Sequence, residues 1–399
     1  RSKKPELGYA TDFVDIAMKA VLPEVMRRGI KVVANAGGIN PQGCADALKA
    51  LAEGLGLAPR IAVVLGDDIS AQMPRLREQG TQDMFTGEAL PEKILSANAY
   101  LGAFPVAQAL AAGADIVITG RGVDSATTLG ILIHEFGWSS AELDQLAGGS
   151  LAGHIIECGC QATGGLHTDW ERVPDWAHIG YPIVECEADG SFTVTKPAGT
   201  GGLVVPAVVA EQMLYEIGDP AAYLLPDVVC DFTQVHMAQT GEHRVRVKGA
   251  RGRPPTPFYK VSATHMAGFR CSAQLTIVGI DAVAKARRTG EAILIRTGEM
   301  LTTLGLGAFK EHHLEVLGAE SCYGPHARHA DTREAILRLT ATHRNKEALE
   351  LFAREIAPAG TSWSPGTTGA AGRPSVSPSI RQYAFLVDKA RVTPQVHID

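Results

Sequence analysis

The sequence predicts an α/β protein. It divides into a mostly parallel, three-layer N-terminal domain (residues 1–170), a β-rich middle with hairpins (171–267) and an α/β C-terminal domain (268–399). Three observations carry this reading. Short apolar runs recur in the first part with helical patterns between them, as expected for parallel strands buried on both faces. The middle shows runs broken at Asp189-Gly190 and Thr240-Gly241, residues that hairpin turns favour. After about residue 268 strand and helix patterns alternate again.

IKVVANAGG (30–38) is the first strand, ending in Asn35, Gly37 and Gly38. Asn40 suits an N-cap and Pro41 a first helical turn; Cys44, Ala45, Leu48, Leu51, Ala52 and Leu55 then supply an apolar face. RIAVVLGDD (60–68) and ADIVITGRGVD (114–124) are the next buried strands, ending at Asp67 and at Arg121 and Asp124. Open parallel sheets bind ligands beyond the carboxyl ends of their strands, so Asn35, Asp67 and Arg121 are expected at one rim. The stretch HIIECGCQATGGLH (154–167) is expected to join them there.

That stretch opens like an apolar strand and crowds Glu157, Cys158, Cys160, Gln161, Thr163, Gly164 and Gly165 into a few residues. Glycines there let the backbone approach a ligand; the plainer alternative is a tight crossing with buried, inert thiols. Two hairpins follow, over 182–196 and 231–250. GTGG (199–202), with Thr200, has too little context for a phosphate loop and reads equally as a turn into a helix near 203–216. Farther on, strands are expected at 270–279, 312–320, 337–344 and 380–392, and helices at 281–302, 331–336 and 345–357. Residues 358–379 are rich in Pro, Gly, Ser and Thr and are either a linker or an ordered loop. In the second case Trp363 and Arg373 are expected to close over the cleft.

Composition excludes several classes. With 45% hydrophobic and 20% charged residues the chain has ordinary globular character. A net charge of −6 favours neither nucleic acid nor anionic membranes. No run of ~18 uncharged apolar residues occurs, so a cytoplasmic protein is expected. Seven scattered cysteines do not form a disulfide framework. The chain starts at Arg1, without Met, so further upstream residues are expected. The exposed hairpin edges and low charge density predict a homo-oligomer. GxGxxG and GxxxxGK[ST] are both absent.

Several long motifs point further: SANAYLGAFPVAQALAAGADIVITGRGVDSA (96–126), HEFGW (134–138), GHIIECGCQATGG (153–165), KPAGTGG (196–202) and MLYEIGDP (213–220). With GARGRPPTP (249–257) and AGFR (267–270), the chain resembles the acyclic terpene utilisation protein A family, AtuA, over essentially its whole length. The resemblance departs at Cys160, where a small residue is usual, and at His167. It implies a role in degrading acyclic terpenes and branched acyl-CoAs, with a CoA thioester as substrate and no further cofactor. The implied activity is a hydratase or lyase acting on a carboxylated acyl-CoA; the alternative is a non-catalytic acyl-CoA-binding or carboxylase-associated accessory protein.

Such chemistry needs a proton-transfer group and a stabiliser for developing charge. Glu157 is the candidate base, its pKa expected to rise through burial beside the strand; it reads equally as a helix cap or a partner of Arg121. Cys158 is a candidate nucleophile if a cation or helix N-terminus lowers its pKa, and otherwise an inert thiol. Arg121 and Asp124 are catalytic candidates that open the segment after the third strand, where Arg121 suits a bidentate clamp on a carboxylate or phosphate; they read equally as a structural ion pair with each other. Asn35, Gly37, Gly38, Asp67, Gln161, Thr163, Gly164, Gly165, Thr200, Trp363 and Arg373 are the substrate-binding candidates. His154, Cys158, Cys160, His167 and Asp169 offer metal donors, but CxC without a second pair is a weak pattern, and no metal is expected. The group His326, Arg328 and His329 reads as a solvated loop.

Overall fold

Three parallel strands stand where apolar runs predicted them: β1 (Val32–Ala34), β2 (Ile61–Leu65) and β3 (Ile116–Thr119), with β3 in the middle. The outer edge of β2 is taken by the final strand, Gln395–Ile398, running antiparallel. The computed structural model describes residues 7–328, 331–370 and 372–398, so His329 lies outside the described residues. It is a mixed α/β protein with several sheets. Of the described residues, those within 7–90, 96–263 and 384–398 form one compact unit, and those within 91–95 and 264–383 form a second.

In the first unit, helix α1 (Pro41–Gly54) follows β1. The Asn40 side chain accepts the Gly43 N–H at 3.3 Å, and Cys44, Ala45, Leu48 and Ala52 are buried against the sheet, while Leu55 stays exposed. Helices α2 (Phe104–Ala111) and α3 (Ala126–Phe136) flank β3 in sequence, and α4 (Leu143–Glu157) follows. The expectation of a strand opening at His154 is corrected here, because residues 154–157 are the last turn of α4. Every residue from Leu146 to Ile155 in that helix is buried. A helix buried all round has no amphipathic period, so its apolar end imitates a strand.

The β-rich part is a four-stranded antiparallel sheet of two hairpins. Its strands are β4 (Ile183–Cys186), β5 (Phe192–Thr195), β6 (His236–Gly241) and β7 (Arg244–Lys248), in the order β4-β5-β7-β6. Phe192, Val194, Val245 and Val247 face the core that α4 fills with Leu146, Leu151 and Ile155. Between the hairpins lies α5 (Pro206–Leu214). The second turn falls at Glu242-His243, two residues beyond the predicted pair, with His243 at φ 50°.

The second unit is built on an antiparallel sheet of β8 (Phe258–Val278, the part from 264 on), β9 (Glu311–Leu317), β10 (Glu334–His343) and β11 (Thr367–Ala370). Helices α6 (Ala282–Thr303) and α7 (Lys346–Glu355) cover it. The expected helix at 331–336 is replaced by the start of β10. Glu334, Ala335 and Ile336 pair with Val278, Ile277 and Thr276, and their burial alternates as a strand's does. Residues 358–379 are not a linker. They hold a helical turn (Ala359–Ser362) and β11, whose Ala370 and Thr367 pair with Leu275 and Ile277. The strand expected at 380–392 runs over Val376–Asp388 and gives way to a turn at Lys389–Arg391.

Candidate functional site

The carboxyl ends of the parallel strands do gather part of the predicted set. Asn35 and Arg121 are both exposed and line one cavity with Thr119, Gly120 and Leu101. Its volume is about 10 Å3, room for a single water. Asp67 sits beneath at 4% exposure, its Oδ2 accepting the Arg121 backbone N–H at 3.0 Å and the Asn98 amide at 2.9 Å. Burial raises its pKa while those two bonds hold it down. A Cβ on Gly120 would come within 2.7 Å of this carboxylate, so Asp67 works here as a clamp on the 119–121 turn. Gly37 and Gly38 also serve close approach: a Cβ on Gly37 would collide with Pro41 and the Thr119 carbonyl, and Gly38 has φ 54°.

A second cluster forms where α4 and α5 end. His154 and Glu157 lie on the last turn of α4, Cys158 follows it, and Gln212 stands on the last turn of α5. Gln212 donates its side-chain amide to the His154 carbonyl at 2.9 Å, tying the two helices together. His154 is buried, its Nε2 has no hydrogen-bond partner among the described residues, and its ring centroid lies 5.9 Å from that of Tyr223. Desolvation lowers the His154 pKa against the pull of Glu157 and Glu216. Tyr223 is pushed up to about 12 by burial, with Asp124, Glu157 and Glu216 adding to the effect. Asp124 reaches solvent, yet desolvation first, then Glu157 and Glu216, raise its pKa against a lowering by Arg121. Asp124, Glu157 and Glu216 thus share one electrostatic neighbourhood with His154 and Tyr223.

Two expectations are corrected at this cluster. Glu157 is exposed rather than buried, because a helix end carries it instead of a core strand. Among the described residues no cation acts on the Cys158 thiol to activate it. Its thiol donates to Glu157 Oε2 at 2.9 Å, and desolvation together with that bond pushes it up to about 11. A thiol so placed stays protonated at neutral pH.

The remaining candidates hold the loop that follows. Thr163 is fully buried, and its hydroxyl bridges the carbonyls of Cys160 (3.1 Å) and Gly180 (2.7 Å). Gly164 takes φ 107° against Val173, the Gly165 N–H donates to the Cys160 carbonyl at 2.8 Å, and Gln161 is half-buried. His167 pairs with Glu211 at 2.8 Å. The Thr200 hydroxyl donates to the Pro197 carbonyl at 2.8 Å and accepts from Lys196 at 3.2 Å, which makes 197–200 a closed turn. Trp363 and Arg373 belong to the second unit, Trp363 half-buried against its core and Arg373 exposed beside Lys346 and Arg354. All seven cysteines lie among the described residues and are free. Among the described residues no three His, Cys, Asp or Glu side chains are grouped to hold a metal ion, and no helix is long and apolar enough to cross a membrane.

The family model described as acyclic terpene utilisation family protein AtuA matches residues 1–398. The chain belongs to the AtuA family. That membership ties it to acyclic terpene utilisation. No curated protein and no solved structure matches it. The AtuA-like stretches 96–126, 153–165 and 213–220 supply Arg121, Asp124, His154, Glu157, Cys158 and Glu216. Glu216 and Gln212 were missed as site residues, although Glu216 lies inside MLYEIGDP; Tyr223 carries no sequence signal that separates it from a core aromatic.

Proposed function

We propose that this chain is a hydratase- or lyase-type enzyme of acyclic terpene breakdown, acting on a branched acyl-CoA thioester with Asp124 and Glu157 as its acid–base pair. The observation that supports this most is the shared neighbourhood of Asp124, Glu157 and Glu216 beside buried His154 and Tyr223. Desolvation first, and then the like charges of Glu157 and Glu216, raise the proton affinity of the Asp124 carboxyl. In a dehydration, the base takes the proton α to the thioester carbonyl and the acid protonates the departing hydroxyl. Water leaves as the carbon–carbon double bond forms. Asp124, whose proton affinity is raised, is assigned the acid role. The protonated Cys158 gives no support to a covalent thioester route. A carboxylate on the acyl chain finds attraction at Arg121 and repulsion from the three acids, so Arg121 is the group assigned to hold it.

The reading includes a homo-oligomer in the cytoplasm, with acyl-CoA as small-molecule ligand, no nucleic acid, no membrane and no cofactor beyond the CoA thioester. One observation favours the rival accessory role. Leu166, Trp170, Trp176 and Tyr181 are exposed near the Cys158–Gly165 loop, a surface that a protein partner fits.

The test is a panel of branched acyl-CoAs assayed for affinity and turnover with Asp124→Asn and Glu157→Gln. Each variant is expected to lose roughly 10²–10⁴-fold in kcat while affinity stays near wild type. In the wild type kcat falls as pH rises through the elevated Asp124 pKa, and Asp124→Asn removes that limb. Unchanged turnover in both variants, or acyl-CoA binding with no turnover in the wild type, leaves the accessory role.

A further inference from the structure

We propose that the second unit carries a pocket for a nucleoside diphosphate, between the first turns of α6 and residues 362–365. A cavity of about 630 Å3 opens there, lined by Asp281, Lys285, Arg288, Thr289, Trp363 and Ser364 among others. That volume suits a nucleotide-sized ligand.

The chemistry of the walls selects the ligand. Lys285 and Arg288 stand three residues apart on one face of α6. Both lie near the N-terminal end of a 22-residue helix, where free N–H groups and the helix dipole favour anions. Lys285 donates to the Ile280 carbonyl at 2.5 Å, which fixes its ammonium at the helix start. Arg288 is exposed and makes no hydrogen bond or ion pair among the described residues, so its guanidinium is free for bidentate phosphate contact. Thr289, 2% exposed, is joined to Ser364 by a 2.9 Å hydroxyl pair, which fastens the 362–365 segment to the helix.

Trp363 supplies what a bare phosphate site does not need. Its ring packs on the apolar core of this unit, and its Nε1–H is buried with no hydrogen-bond partner among the described residues. An unpaired buried donor is costly, and an acceptor on a heteroaromatic base relieves it while the indole face offers stacking. Asp281 is the one acid on the wall among the described residues; it repels phosphate and accepts from ribose hydroxyls. Phosphates are therefore assigned to Arg288 and Lys285, and ribose to Asp281. The same chemistry is presented by a free nucleotide and by the nucleotide end of a CoA thioester. The inference does not depend on the acid–base reading, since its residues lie outside that cluster.

The experiment is calorimetric titration of the full chain with ADP, with CoA and with pyrophosphate, alongside tryptophan fluorescence. ADP or CoA is expected to bind, to bind more weakly as salt rises, and to change a fluorescence signal that Trp363→Phe removes. Arg288→Gln, at an exposed position, and Lys285→Gln, at a half-buried one, are expected to weaken binding by about tenfold each, with an unaltered melting temperature for Arg288→Gln. CoA tighter than ADP marks the thioester as the source; ADP tighter than CoA marks a free nucleotide. No binding of ADP or CoA up to millimolar concentration overturns the proposal. So does wild-type affinity in Arg288→Gln, and so does pyrophosphate matching ADP with Trp363→Phe silent. Asp124→Asn is expected to leave ADP affinity unchanged, which keeps failure of the catalytic reading distinct from failure of this one.

Discussion

Burial pushes the Asp227 carboxyl up to about 6, while the Ala103 backbone N–H and the Lys389 ammonium pull the other way. The carboxylate accepts that N–H at 2.7 Å, just before α2, and Gly102 leaves it the room. The unfolded chain titrates near 4, so the folded state holds this proton more tightly. Stability therefore falls as pH rises from about 4 to about 6, and the cost is complete above that window. Asp227→Asn keeps an acceptor for Ala103 and removes the titration. Its melting temperature relative to wild type is expected to climb between pH 4 and pH 6 and then level off; a pH-independent difference refutes the assignment. Asp227 was invisible in the sequence because its burial comes from contacts over a hundred residues away. Asn35, Asp67 and Arg121 were legible because each ends an apolar parallel strand. Glu157 was legible as a reactive type but not in its exposure, which depends on the element that carries it.

Helix α4 shows why that element was misread and what its glycines do. Gly148, Gly149 and Gly153 lower helix propensity, and the run of ten buried residues that includes them erases the 3.6-residue period. Yet these glycines are what lets α4 sit in the core. A Cβ on Gly148 would run into the Gly190 carbonyl of the β4–β5 turn, and one on Gly153 would come within 2.9 Å of Ser125. Gly148→Ala is expected to destabilise by about 1–3 kcal/mol, the usual cost of overpacking, read as a lower urea midpoint. Gly298, inside α6 with nothing within 4 Å of its Cβ position, has the opposite expectation. Gly298→Ala should stabilise by about 0.5–1 kcal/mol, since alanine loses less backbone entropy in a helix. If both changes move the midpoint the same way, the packing argument for α4 fails. Hairpins and amphipathic helices were the legible elements because their signals are local. The antiparallel pairing of 395–398 with β2 joins residues some 330 apart and leaves no local trace.

At the scale of the whole molecule, the question is what covers the surface the first unit leaves open. The sheet β4-β5-β7-β6 closes on neither side, so β4 and β6 are edges, and unpaired edges recruit other strands unless blunted or covered. Ile183 on β4 is 43% exposed. Nearby in sequence, Leu166 is 86% exposed, Tyr181 70%, Trp176 57% and Trp170 55%. Those are values a lone monomer rarely tolerates in one short stretch. Trp170 and Trp176 lie 5.8 Å apart, centroid to centroid, so at least these two form a continuous apolar surface. Aromatic enrichment of this kind marks interface cores more than free surface, and closed symmetric assemblies are the commonest way to bury it. The expectation is therefore a homo-oligomer of at least twice the 42.2 kDa chain mass, seen by sedimentation at micromolar concentration. Leu166→Asp with Trp176→Ser should shift it towards the single chain without unfolding it, because neither side chain belongs to a core. A wild-type chain sedimenting at 42.2 kDa would remove the oligomer and leave the aromatic surface to a different partner.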